Sequence, residues 1–442
     1  MTLLRLDVVR REPRRTTSVA GVLLLALSAL VLGFAAAPAA GASPGLSPAA
    51  VQAQQWWLNR LNLRKAWTLT EGAGVTVAVL DSGINVGFGD LRGAVVPGFV
   101  PGGSGSGLTD TDPAEHGTRL ADEIAGRGTG FGLLGVAPKA TVLPVVVPTS
   151  DIHDATITAL DRLATMAHPP QVANMAYGAS AACPPDVQAA VRRAVDRGII
   201  LVASAGNDGA TTNPSNYPAN CAGVVAVSAV DQNGHVWTGS ERQAYVALAA
   251  PGVHMIGYDA QAASGYGYAD GTSDSAAIVS GVFALLRAHF PAMPARQLVA
   301  RALFTAKQFL GAQGSRNDQT GFGVALPYDA LTVKVPLSAP NPVYDALGPA
   351  APSAPATPSA SASASSQRPG SSGPAPAPSS SAAGAPSASS GGGVSTAVIA
   401  AIIIAVLVVA LVAVLLLRRR RSAPAGSGPP GANPWPPGPP RP

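Results

Sequence analysis

The chain has 442 residues, with 29 Lys+Arg, 24 Asp+Glu and a formal net charge of +5, long enough for more than one domain. The positive charge sits at the ends. Residues 43–347 hold 18 Lys+Arg against 22 Asp+Glu, an acidic balance that argues against nucleic acid as a partner.

Residues 1–42 carry Arg5, Arg10, Arg11, Arg14 and Arg15, then an apolar run from Val19 to Ala36, and end on Ala40-Gly41-Ala42. This order predicts a secretory signal peptide cleaved after Ala42, followed by a short N-terminal segment, 43–53. Residues 54–337 read as one large folded domain. Val75–Leu80, Thr141–Val147, Val172–Tyr177, Ile199–Ala203 and Val224–Val230 are short, continuously apolar runs bounded by Gly, Pro or Asp. Continuous rather than alternating hydrophobicity is expected of parallel strands covered on both faces. Helical patterns intervene after His116 and at about Asp151–Met166, Pro185–Arg197, Ser273–Phe290 and Pro294–Leu303. The expected fold class is α/β, a mostly parallel central sheet with helices on both faces.

Residues 338–393 read as a linker, almost wholly Pro, Ala, Ser and Gly from 348 on, a composition that cannot bury enough apolar surface to fold. Val394 to Leu417 is 24 residues without a charge, followed by Arg418-Arg419-Arg420-Arg421. About 20 apolar residues cross a bilayer, and arginines directly after a span stay cytoplasmic. The expectation is therefore a single-pass cell-membrane protein, its folded domain outside and its Pro-rich tail, 418–442, inside.

The chemistry-bearing residues lie where the elements begin or end. Asp81, in VTVAVLDSGIN, ends a strand; His116, in AEHGTRLADEIAG, opens a helix; Asn207, in IILVASAGNDG, follows a strand. In ADGTSDSAAIVSGVFALLRAHF, Gly271 is expected to turn the backbone sharply into a long apolar helix, with Ser273 in its first turn. Free N–H groups and the helix dipole favour negative charge there, which suits a nucleophile. Read singly, each residue has a plainer role. Asp81 suits a turn cap, Asn207 a turn, Ser273 a helix cap and His116 a structural histidine. Read together they supply a hydroxyl nucleophile, an imidazole base, a carboxylate to orient it and an oxyanion donor.

These segments resemble the subtilisin-like serine proteases: DSG around Asp81, HGT at His116, SAGN at Asn207 and GTS at Ser273, in that family's order. The resemblance implies a serine endopeptidase with Asp81, His116 and Ser273 as its triad and Asn207 at the oxyanion. It further implies a peptide cleft lined by Ala176-Tyr177-Gly178 and by Ser204, Ala205 and Gly206. Within that family the chain is most similar to the mycosins, membrane-anchored proteases associated with type VII secretion in actinobacteria. QQWWLNRLNLRKAW (Gln54–Trp67), GVAPKATVLPVVV, YPANCAGVVAVSAVD and the stalk with its span carry that likeness. The Trp56-Trp57 pair is expected to pack on the domain surface. Between Ala42 and Trp56 there is no room for the folded inhibitory pro-domain of many secreted subtilisins.

Two positions depart from the family's pattern. Asp274 stands where an apolar residue is usual, and Ala277 where a proline is. An acid beside Ser273 raises the basicity of His116 or repels the oxyanion, yet in a first helical turn it also complements the dipole, and the sequence leaves its net sign open. Glu115 and Asp122 likewise replace the usual glycines around His116. The two cysteines, Cys183 and Cys221, lie in the exported part, where oxidising conditions favour a disulfide over two separate buried thiols. His153, His168, His235, His254 and His289 lack metal-ligand spacing, and Asp110 and Asp112 suit either a calcium ligand set or a solvated loop. No metal or cofactor is expected. The competing function is a structural part of a secretion complex with weak or vestigial proteolysis.

Overall fold

The computed structural model describes residues 46–308 and 316–349. The signal peptide, the linker from residue 350, the membrane span and the tail lie outside the described residues. Among the described residues no helix is long and apolar enough to cross a membrane.

Three short helices, α1 (Pro48–Gln54), α2 (Trp56–Arg60) and α3 (Leu63–Trp67), precede β1 (Thr76–Asp81) and α4 (His116–Ala125). Next come β2 (Thr141–Val146), α5 (Ile152–Thr165), β3 (Val172–Met175), the two-residue β4 (Ala179–Ser180), α6 (Pro185–Asp196), β5 (Ile200–Ser204) and β6 (Asn216–Tyr217). The chain continues through β7 (Val224–Val230), β8 (Val246–Pro251), β9 (Met255–Tyr258), β10 (Tyr266–Ala269) and α7 (Thr272–His289). It closes with α8 (Ala295–Thr305), α9 (Pro327–Thr332) and α10 (Pro342–Asp345).

Six strands form one sheet in the order β2-β1-β3-β5-β7-β8, every neighbouring pair parallel. Successive side chains of a strand point to opposite faces, so two cores result. Val77, Val79, Ile200, Val202, Val225 and Val227 pack on the side of α4 and α7, and Ala78, Leu80, Ala173, Met175, Leu201 and Ala203 on the side of α5 and α6. Five of the six strands match apolar runs in the sequence. The sixth, β8, is fully buried yet has the Ala-rich sequence VALAAP, whose low strand propensity hid it.

The strand order reverses between β1 and β3, and in open parallel sheets the crevice beyond such a switch point is where ligands gather. Register brings the relevant ends level: Leu80 pairs Met175, and Met175 pairs Ala203. Asp81, the segment from Ala176 and the segment from Ser204 therefore leave the same edge of the sheet. Helix α7 runs behind that edge with residues 272–286 all buried.

The packed domain is longer at both ends than its sequence boundaries of 54 and 337. Val51 in α1 is fully buried, and Asn341 and Tyr344 are buried near α10, where the Gly223 N–H donates to the Val343 carbonyl at 3.0 Å. Trp57, expected on the surface, is fully buried in the core, while Trp56 is partly exposed and donates its Nε1–H to the Val253 carbonyl at 3.2 Å. Gln55 clamps the same region by exchanging hydrogen bonds with the Leu134 backbone at 2.9 and 3.0 Å. Cys183 and Cys221 are joined, 38 residues apart in sequence.

Candidate active site

Asp81 is the last residue of β1 and is buried, with Oδ1 accepting from the Ser82 N–H at 2.8 Å and the Ser82 hydroxyl at 3.1 Å. The same oxygen faces His116 Nδ1 at 2.8 Å. Two glycines permit that approach. Gly83 has φ +108°, and a Cβ on Gly117 would meet the Gly83 carbonyl oxygen at 2.2 Å. Any larger residue at 117 would push α4, and His116 with it, away from the aspartate.

The start of α4 is fixed by side chains. Asp110 Oδ2 accepts from the Thr118 N–H at 2.9 Å and its hydroxyl at 2.7 Å, capping the first turn. Glu115, in place of a glycine, adopts φ +53° just before the helix, and Asn85 Nδ2 donates to its carboxylate at 2.9 and 3.1 Å. Among the described residues no group of three or more metal-ligating side chains occurs. The negative charge of Asp81 pushes the His116 pKa up to about 9; burial opposes it, and the Asp81 hydrogen bond, Asp274 and Asp112 add to it.

Ser273 lies in the first turn of α7, is 8% exposed and donates its hydroxyl to the Ala176 carbonyl at 3.3 Å. Gly271, expected to make a sharp turn, is instead extended at φ −176°, ψ 149°, a conformation open to any residue. Asn207 shapes the helix start. Its Oδ1 accepts from the Thr272 N–H at 3.0 Å and the Thr272 hydroxyl at 2.8 Å, and that hydroxyl accepts from the Gly206 N–H at 3.1 Å. With its oxygen end held by two donors, the exposed Asn207 presents its Nδ2 elsewhere. Nδ2 and the Ser273 backbone N both lie within 3.8 Å of the point a Cβ on Gly271 would occupy.

The cleft segments flank these groups. Ala176 is buried, Tyr177 half-buried with its hydroxyl 3.0 Å from Thr156 Oγ1, and Gly178 exposed. Ser204 and Ala205 are buried and Gly206 half-buried. Behind Gly206 stands Glu241, fully buried, accepting from Asn216 Nδ2 at 2.6 Å.

Asp274 is buried and turned toward α4. Its Oδ1 accepts from Arg119 Nε at 3.0 Å and Nη2 at 2.9 Å, and Nη2 also donates to the Met255 carbonyl at 2.8 Å. Three participants escaped sequence reading: Thr272, hidden inside the GTS motif, and Arg119 and Glu241, each near its partner only after folding.

The fold is of the subtilisin type. Residues 72–323 match the subtilase family, Peptidase_S8. The chain belongs to that family. It is 30% identical over 273 residues to an extracellular protease of Xanthomonas campestris pv. campestris, covering 52% of this chain and 47% of that one. It is 31% identical over 312 residues to fervidolysin of Fervidobacterium pennivorans, covering 64% and 44%. The chain thus spans about half the length of these two relatives. Among solved structures it is similar to the MycP3 protease from the type VII (ESX-3) secretion system, at 30% identity and TM-score 0.56, covering 66% of this chain and 90% of that one. The likeness to mycosins read from the sequence is therefore also a likeness of fold.

Proposed function

We propose that this protein is a membrane-anchored extracellular serine endopeptidase associated with type VII secretion, and that Asp81, His116 and Ser273 are its triad. One observation carries the catalytic assignment: the buried Asp81 carboxylate lies 2.8 Å from His116 Nδ1, on the sheet edge that α7 presents Ser273 to. Hydrogen-bonded there, Nδ1 keeps its proton and leaves Nε2 to take the Ser273 proton as the hydroxyl attacks a peptide carbonyl. His116 then returns that proton to the leaving amine, and water repeats the cycle on the acyl-enzyme. Asn207 Nδ2 donates to the oxyanion. Ala176-Tyr177-Gly178 and Ser204-Ala205-Gly206 hold the substrate in the cleft.

Ser273→Ala or His116→Ala should lower turnover by roughly 10⁶ in a protein that still folds, because members of a cooperating triad lose nearly the whole effect singly. Near-normal peptidase activity in folded Ser273→Ala would refute the assignment. A scaffold with vestigial activity is the competing reading. Its main support in the sequence was an uncompensated acid beside the nucleophile, and the ion pair of Asp274 with Arg119 weakens that support.

The anchor rests on the 24-residue uncharged run and the four arginines after it. The secretion link rests on the likeness to proteases whose structures are described as parts of type VII systems. Protease added to intact cells should release the catalytic domain and spare a tag placed after Arg421. A digested tag would refute the topology.

A further inference from the structure

A buried ionic cluster joins the two helices that carry the proposed base and nucleophile. Arg119 sits one turn after His116 on α4 and is 7% exposed; Asp274 follows Ser273 on α7 and is 4% exposed. The guanidinium reaches Asp274 Oδ1 through two nitrogens, at 2.9 and 3.0 Å, and fixes the β9 backbone through Met255 at 2.8 Å. A third member, Glu123, is 2% exposed, lies 3.5 Å from Arg119 Nη2 and is within hydrogen-bond reach of Asp274. Burial together with Asp274 holds Glu123 well above the carboxyl range, and Arg119 keeps Asp274 below it although burial opposes ionisation there. Within the cluster Asp274 is the stronger acid and the closer partner of the guanidinium.

We propose that Arg119 is a positioning residue of the hydrolytic reaction, cancelling the charge of Asp274 beside Ser273 and fastening the His116 helix to the Ser273 helix. The inference rests on the catalytic reading given above. It follows from charge arithmetic in a site shielded from water. Without Arg119, Asp274 and Glu123 retain a net negative charge one residue from where the oxyanion forms, and that field opposes the transition state more than the bound substrate. Without Asp274, Glu123 on α4 stands ready to ionise and pair with Arg119. Arg119 is therefore the member with no replacement. Asp274 also acts on His116, whose other charged neighbours are Asp81 on β1 and Asp112 before α4.

The test compares wild type, Arg119→Met and Arg119→Met/Asp274→Leu on a neutral peptide substrate across pH, with Ser273→Ala alongside. Arg119→Met should lower kcat roughly ten- to hundred-fold with KM changed by less than about threefold, the expected effect of one uncompensated charge in a medium of intermediate dielectric. The double variant should recover kcat to within about threefold of wild type, because well-packed apolar groups replace buried ion pairs at little cost. Its acid limb should lie close to the wild-type limb, since a cancelled pair exerts little net field on His116, whereas the unmasked Asp274 of Arg119→Met should raise the limb. Wild-type kcat in folded Arg119→Met, or a double variant as slow as the single, would overturn the proposal. Should Arg119→Met fail to fold, the double variant decides alone: kcat within about threefold of wild type with an unmoved limb supports the proposal, and a ten-fold or greater loss of kcat overturns it. An active Ser273→Ala would instead refute the catalytic reading itself, so the two failures are distinguishable.

Discussion

Replacing Thr272 with valine removes one hydroxyl from a fully buried side chain and leaves its shape unchanged. That hydroxyl donates to Asn207 Oδ1 at 2.8 Å and accepts from the Gly206 N–H at 3.1 Å. Two consequences follow. The half-buried Gly206 N–H is left without its partner, at a cost of about 1–2 kcal/mol, below the full penalty of a buried donor, and Tm should fall by roughly 2–4 °C. The Asn207 amide keeps only the Thr272 N–H at 3.0 Å and is free to rotate about that single contact. Losing an oxyanion donor outright costs about 10²–10³ in turnover, so loosening one should cost roughly 10–10² in kcat with KM nearly unchanged. Steady-state kinetics on a chromogenic peptide, with a thermal melt, read both effects. Thr272→Ser restores the hydroxyl and should restore kcat. A Thr272→Val protein with wild-type kcat would refute the assignment of Asn207, because its anchoring would then be irrelevant to the reaction.

Three further outcomes can be checked. His116 must be neutral to act as base, so kcat/KM should rise with pH along a limb above the 6.5 of an ordinary histidine. The limb should lie no higher than about 9, since the ring is 35% exposed and water screens Asp81; a limb at or below 6.5 contradicts the Asp81 contact. The Cys183–Cys221 bridge closes a 38-residue separation, worth roughly 3–4 kcal/mol on the chain-entropy estimate. Reduction should lower stability, and two titratable thiols in native unreduced protein would refute the pairing. Burial pushes Glu241 up to about 7, so between pH 4.5 and 7 the folded state binds more protons than the unfolded one and stability falls as pH rises. Glu241→Gln should therefore gain up to roughly 3 kcal/mol in denaturant unfolding at pH 8 and almost none at pH 4.5. An equal gain at both pH values would contradict a buried titrating carboxyl.

Much of this architecture was legible because buried parallel strands leave continuous apolar runs and the site residues fall at their ends. The apolar run Val224–Val230 coincides with its strand, while Val246–Pro251 leaves no such run because its alanines pack well in a covered sheet yet carry no local strand signal. The four proposed site residues are read from motifs, that is, from local backbone context. What could not be read was pairing at a distance. Asp274 was seen as an anomaly whose sign was open, and the answer lay 155 residues away in Arg119. The sharp turn expected at Gly271 is absent, and the helix start is held instead by Asn207, whose side chain takes the Thr272 N–H and hydroxyl. Trp57 reads with Trp56 as a surface pair, and only the packing of α2 against the core sends one ring inside and leaves the other partly exposed.

The most direct test of the central claim is covalent labelling of the native protein with a fluorophosphonate probe, followed by peptide mapping. The account predicts one label per molecule, on Ser273, absent in folded Ser273→Ala and slowed by orders of magnitude in His116→Ala. A folded wild-type protein that takes no label, or takes it on another residue, would contradict it.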